Sequence, residues 1–240
     1  VNFSTKTSTW NVITINSKTN IEEVFTCTML FVCTGYYNYK NGYTPEYPGI
    51  ENFKGQVIHP QLWPEDLAYE NKKVIVIGSG ATAVTIVPKM AEKTAKITML
   101  QRSPTYVGAF PNKDKVANFL KNIFPKKTAH KIIRLKNVSI QVLFFNACRM
   151  WPNFMKKLII KGTQKQLGDY PANPHFAPNY KPWDQRFCVA PDGDLFETLK
   201  QGKASMVTDH IETFTEKGIK TTSGKELEAD IVISATGLKL

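Results

Sequence analysis

Residues 78–83, Gly78-Ser79-Gly80-Ala81-Thr82-Ala83, form a G-x-G-x-x-A pattern, the spacing that lets a backbone turn hold a diphosphate on exposed N–H groups. Each small residue has its own task. Gly78 lets the chain reverse, Gly80 lets an anion approach the backbone, and Ala83 lets a helix lie close to a strand. The positive end of that helix completes the anion site. Further along, Gln101-Arg102-Ser103 offers a guanidinium and a hydroxyl where an NAD-selective site usually places a carboxylate to accept from the ribose 2′-hydroxyl. Both groups suit a 2′-phosphate, so NADPH is the expected ligand. The plainer alternatives are a glycine turn that only packs a helix and, for Arg102, a solvated charge at a strand end.

These groups need elements in a fixed order to present them. The β-branched run Val74, Ile75, Val76, Ile77 stops at Gly78 and suits a strand buried on both faces of a parallel sheet. Residues 71–103 thus read as strand, turn, helix, strand, the α/β order of a Rossmann-like nucleotide-binding domain. Pro88 inside the helical pattern predicts a kink or an early end near Val87. Residues 7–16 and 24–33 cluster β-formers around a polar turn at 17–20, as in a hairpin or meander. Residues 36–70 are rich in Tyr, Pro, Asn and Gly and predict an ordered interdomain linker.

From Lys113 to Gly168 the pattern turns helical and basic, with apolar positions such as Phe119, Ile132, Ile133, Leu135, Leu143 and Phe144. A helical insertion at about residues 110–180 accounts for it, and core packing is the favoured role of those apolar positions. Contact with a membrane surface is the alternative, because Lys and Arg alternate there with Ile, Leu, Phe and Trp151. Short strands are expected at 204–207, 211–215, 218–222 and 230–234.

The 240 residues suffice for one large α/β domain or two small ones. The net charge of +11 reads as spread among acidic residues, which speaks against a nucleic-acid-binding arm and for attraction of an anionic cofactor. Cys27, Cys33, Cys148 and Cys188 form no CxxC pair, and His59, His130, His175 and His210 show no metal-ligand spacing. A metal site and a dithiol reductase are therefore not expected. Well-separated cysteines fit reduced thiols in a cytoplasm. No leader is expected ahead of the first strands, and no apolar run approaches the roughly 20 residues needed to cross a bilayer.

Directly ahead of the Val74 strand, residues 53–64 read FKGQVIHPQLWP and fit F-x-G-x-x-x-H-x-x-x-W-P at Phe53, Gly55, His59, Trp63 and Pro64. This pattern resembles the identifying motif of the Baeyer-Villiger monooxygenases. Related hydroxylating flavin monooxygenases typically end the motif in Phe where this chain has Trp63. Cys33-Thr34-Gly35-Tyr36 and Ile233-Ser234-Ala235-Thr236-Gly237 resemble the two strand ends at which such enzymes pass between their FAD and NADPH domains. Tyr180-Lys181-Pro182-Trp183-Asp184-Gln185-Arg186 is similar to a subgroup that includes bacterial activators of thioamide prodrugs.

The resemblance implies an α/β fold: a Rossmann-like NADPH-binding domain with a helical insertion at residues 71–225, plus part of a second, FAD-binding Rossmann-like domain. Residues 1–70 would supply part of that second domain and the linker, and residues 226–240 a strand returning to it. The chain is expected to be the central piece of a longer flavoenzyme. NADPH would reduce FAD, the flavin would carry O₂ as a C4a-peroxide, and a ketone would become an ester or lactone. Arg186 matches the family's active-site arginine, although Gln185 stands where several members have a lysine. Its alternative is a surface ion pair with Asp184 or Asp192. His59 and Trp63 are expected to organise the linker. Two rival functions remain open, oxygenation of a thioether-type sulfur or of nitrogen, and a non-catalytic NADP(H)-binding module.

Overall fold

The computed structural model describes residues 1–239. Contacts divide them into two units, Val1–Asn38 and Tyr39–Lys239. The first unit is an antiparallel meander of β1 (Asn2–Ser4), β2 (Thr9–Ile15) and β3 (Glu22–Cys27). Its expected turn forms because the Asn16 carboxamide accepts from Lys18 N at 2.9 Å and Asn20 takes a left-handed φ of 56°.

The second unit contains β4 (Gln56–Ile58), β5 (Lys73–Ile77), α1 (Ala81–Met90), β6 (Lys96–Gln101), β7 (Tyr106–Phe110), α2 (Lys115–Ile123), α3 (Lys126–Met150) and α4 (Pro152–Leu167). It continues with β8 (Phe187–Pro191), α5 (Asp194–Lys200), β9 (Ala204–Thr208), β10 (Ile211–Thr215), β11 (Gly218–Thr221), β12 (Glu226–Glu228) and β13 (Ile231–Ser234). Five strands form one parallel sheet in the order β4-β13-β5-β6-β9. Successive side chains point to opposite faces, so each strand feeds two cores. Val74, Val76, Ile97 and Met99 pack with Val84 and Val87 of α1 and Leu195 and Leu199 of α5. Ile75, Ile77, Leu100 and Val232 pack with Phe214, Ile219 and Leu227 of the small antiparallel sheet β10-β11-β12.

The sheet draws residues 231–234 alongside β5 and residues 56–58 outside them, β13 lying directly between β4 and β5. Segments expected as linker and return strand are thus sheet members here. α1 runs through Pro88 to Met90 instead of stopping at Val87. Only one N–H is missing, the proline is buried, and Ala91 N still donates to Val87 O at 3.0 Å. The parallel pair β7-β8, which frames the helical insertion, and the short β12 were not expected.

Within the insertion α4 buries Met155, Thr163 and Leu167, but core packing is not what α3 has. α3 is 25 residues long and buries only Ala129 and Cys148, while Leu135 and Leu143 are 70% and 67% exposed. Its neighbours reach one side of it only. Charge is also less evenly spread than expected: residues 113–168 hold thirteen Lys and Arg against one acidic residue, Asp114.

Candidate functional site

The glycine turn lies at the carboxyl end of β5, where open α/β sheets bind ligands. Gly78 takes φ 131°, donates its N–H to Leu100 O at 2.8 Å, and faces Ala235 so closely that a Cβ would stand 2.5 Å from that carbonyl oxygen. Only glycine meets both demands. Gly80 caps α1 in an extended conformation, without a side chain to occupy the helix's free N–H groups. Ala83 is fully buried against the sheet, as the pattern requires.

Arg186 closes this site from the other side of the sequence. Its Nη2 donates to Ser79 Oγ at 2.8 Å and its Nε to Thr105 Oγ1 at 3.3 Å. The guanidinium lies beside Gly80, with Nη1 3.8 Å from where a Cβ would be. The ion-pair alternative fails because both carboxylates are otherwise engaged: Asp184 with Arg149 at 2.7 Å, and Asp192 accepting from Asn112 N at 2.9 Å. β8 holds Arg186 in place, since the register Tyr106↔Phe187 sets residue 186 opposite Thr105. Tyr180 steadies the approach to β8. Its carbonyl accepts from Tyr106 Oη at 2.7 Å and its own hydroxyl donates to Arg186 O at 3.3 Å. Burial pushes the Tyr106 phenol up to about 12, so it stays protonated and donating. Cys188 beneath the turn donates to Ser79 O at 3.7 Å, and burial raises its thiol despite the nearby Arg186 charge.

At the end of β6 the side chains divide between inside and outside. Gln101 is buried, its amide donating to His175 O and to Thr208 Oγ1, both at 2.8 Å. Thr208 Oγ1 lies 2.8 Å from His175 Nδ1, and burial, then the charge of Lys225, hold that imidazole below its usual range. A neutral ring accepting from the Thr208 hydroxyl satisfies all three groups. Gln101 is therefore committed to the interior, while Arg102 and Ser103 are exposed beyond it. Ser103 joins the turn through its carbonyl, 3.4 Å from Ser79 Oγ, and Arg102 pairs with no carboxylate among the described residues.

The F-x-G-x-x-x-H-x-x-x-W-P residues lock the neighbouring strand end. Phe53 packs edge-on to Phe214 at 5.9 Å, and Gly55 passes too close to Asp230 O to allow a side chain. His59 Nδ1 accepts from Gln61 N at 3.2 Å, which leaves Nε2 to donate to Gly237 O at 2.9 Å. A side chain on Gly42 would overlap the His59 ring. Trp63 ends the 3-10 turn Pro60–Leu62 and stays partly exposed. Gly237 follows Ala235, whose N–H donates to Ile77 O at 2.9 Å next to Gly78, so the motif reaches the turn through this strand end.

Thr105, Thr208 and His175 were not singled out from sequence. No spacing rule marks them, because β7, β8 and β9 bring them in from distant positions. A groove of about 1210 Å³, lined by Lys54, Asp66, Lys72, Glu216 and Asp230, opens at the amino ends of the strands. It is therefore not the nucleotide site.

A turn of this geometry at a parallel-sheet switch defines a Rossmann-like α/β protein. The profile of the flavin-binding monooxygenase-like family matches residues 1–144, and the chain belongs to that family. It is 48% identical over 242 residues to the putative FAD-containing monooxygenase MymA of Mycobacterium tuberculosis H37Rv, covering 99% of this chain and 49% of that protein. It is 52% identical over 217 residues to the FAD-containing monooxygenase EthA of the same strain, covering 90% and 44%. The probable FAD-binding monooxygenase AlmA of Acinetobacter sp is 46% identical over 240 residues, covering 100% and 48%. The chain thus spans about half the length of the curated relatives it matches.

Among solved structures, oxidized steroid monooxygenase bound to NADP aligns with TM-score 0.67 at 18% identity, covering 96% of this chain and 52% of that one. OTEMO complexed with FAD and NADP aligns with TM-score 0.64 at 22% identity, covering 90% and 48%. At these identities the likeness establishes the fold.

Proposed function

We propose that the protein carrying this chain is an NADPH- and FAD-dependent monooxygenase that inserts one atom of O₂ beside the carbonyl of a small ketone, giving an ester or lactone. The observation that carries the reading is Arg186 held against Ser79 and Gly80 at the amino end of α1. A permanent cation, two hydroxyls and unpaired helix N–H groups converge there, the donor set that a dinucleotide diphosphate requires. Arg102 and Ser103, exposed past the buried Gln101, would meet the 2′-phosphate.

FAD occurs in the names of the relatives, and FAD and NADP in those of aligned structures, which supports assigning both to the whole protein. Bound FAD would supply the redox chemistry that activates oxygen. The residues of this chain have other work. Residues 78–83 orient the diphosphate, and His59 holds the Gly237 strand end beside it. Arg186, beside Ser79 and Gly80, adds a permanent positive charge to that diphosphate site. The domain limits at 71 and 225 belong to the same proposal, as does a cytoplasmic setting, which suits the four free cysteines.

The whole protein, supplied with NADPH and O₂, is tested on a panel of linear and cyclic ketones and a thioether. Ester or lactone supports the proposal. Sulfoxide without ester reassigns it to heteroatom oxygenation. Nucleotide binding with no oxidation leaves a non-catalytic NADP(H) module.

A further inference from the structure

The outward side of α3 combines two kinds of side chain that bulk water and a protein interior do not both accommodate. With 3.6 residues per turn, Ala129, Ile133, Phe144 and Cys148 share the side packed on the fold, and all four are at least partly buried. Ile132, Leu135, Leu143 and Met150 fall on a stripe turned away from it, exposed by 37%, 70%, 67% and 66%. Lys127, Lys131 and Arg134 run along one edge of that stripe, all exposed. Trp151 and Phe154 continue the apolar surface into α4, exposed by 59% and 65%.

Charge sharpens the pattern. Of the thirteen basic residues in 113–168, only Lys136 and Arg149 meet a carboxylate among the described residues, Asp114 and Asp184. The rest of the chain carries eighteen basic and nineteen acidic residues, so the entire positive excess sits on these helices. A nucleic acid would satisfy the charge and leave the apolar stripe in water. A second copy meeting this face with its own would oppose like charge to like charge. A surface that is anionic outside and apolar a few ångströms below satisfies both components.

We propose that α3 and the first turns of α4 form a peripheral contact with an anionic lipid bilayer, lying in its headgroup region. The helix lies on the membrane and does not cross it, since no helix among the described residues is long and apolar enough to span. This contact uses none of the nucleotide-binding residues, so its success or failure is separate from that of the proposed reaction.

The test is flotation of the whole protein with vesicles of phosphatidylcholine, with and without phosphatidylglycerol. Binding is expected to rise at least about tenfold with the anionic lipid, since each basic residue near such a surface adds about a fivefold factor. High salt should reverse most of that gain. The pair Leu135→Gln and Leu143→Gln should lower binding about tenfold while leaving the thermal midpoint unchanged, because both side chains are exposed. Replacing Lys127, Lys131 and Arg134 with Gln should remove the preference for phosphatidylglycerol.

Equal binding to both vesicle types, or binding indifferent to the leucine pair, overturns the proposal. A Leu143→Cys protein, mapped by mass spectrometry after treatment with a water-soluble maleimide, gives an independent answer. Labelling without vesicles and protection with them supports membrane contact. Protection without vesicles means that the protein's own chain or a second copy covers the face, and the proposal falls.

Discussion

Helices α1 and α3 both carry apolar residues at helical spacing, yet they meet different fates. α1 has ten residues and buries five, Ala83, Val84, Val87, Pro88 and Met90, whereas α3 has 25 and buries two. The difference lies in what stands opposite. A parallel sheet must have both faces covered, so the crossover helix after β5 has a surface waiting for it. The insertion runs between β7 and β8, and α3 in it has neighbours along one side, Phe144 against Phe187 among them. Periodicity states that a face is apolar; it does not state what covers it.

Stability measurements can break this comparison. Phe196→Ala, in the fully buried pocket beside Phe176, should cost about 3–5 kcal/mol by urea unfolding. Leu143→Ala on the exposed stripe should change stability by no more than about 0.5 kcal/mol. Similar losses would mean that α3 is as firmly packed as the sheet region.

Within the sheet region, the next effect concerns the turn. Arg186→Ala should weaken NADPH and NADH alike by about 10- to 100-fold in calorimetric titration, the usual scale for a charge-assisted hydrogen bond of roughly 1.5–3 kcal/mol. Arg102→Ala should weaken NADPH alone, by about tenfold. Equal losses of both cofactors on removing Arg102 would take the 2′-phosphate away from that residue.

Tyr106→Phe leaves the Tyr180 carbonyl without its donor and should cost about 1 kcal/mol in thermal unfolding. A smaller effect depends on pH. His175 is held neutral, below its ordinary value of 6.5, by burial and then by Lys225. The unfolded chain takes up that proton first as pH falls, so stability should decline from about pH 6.5 downward, until pH passes the folded-state value. His175→Gln should flatten that part of the stability profile. An unchanged slope would show that another group titrates there.

Much of the site was legible along the chain. The β-branched run, two glycines with distinct demands and the following helix belong to one contiguous stretch, and each rule acts over a few residues. The motif from Phe53 to Pro64 pointed to an organising role for His59, whose two ring nitrogens bond Gln61 and Gly237. Gln101, next to the expected phosphate-facing pair Arg102 and Ser103, serves the interior. Alternation along β6 turns it inward, and only Thr208 and His175, from elsewhere in the chain, give its amide something to hold.

The sequence by itself determined the strand-turn-helix unit and the uncapped helix start that follows its glycines, because steric limits on φ and the exposed ends of a helix are local properties. Tertiary structure alone decided that Arg186 reaches Ser79 across 107 positions, that β13 slips between β4 and β5, and that the apolar stripe of α3 stays uncovered. Those outcomes depend on which surfaces compete to be buried against one another, a contest that no short window of residues contains.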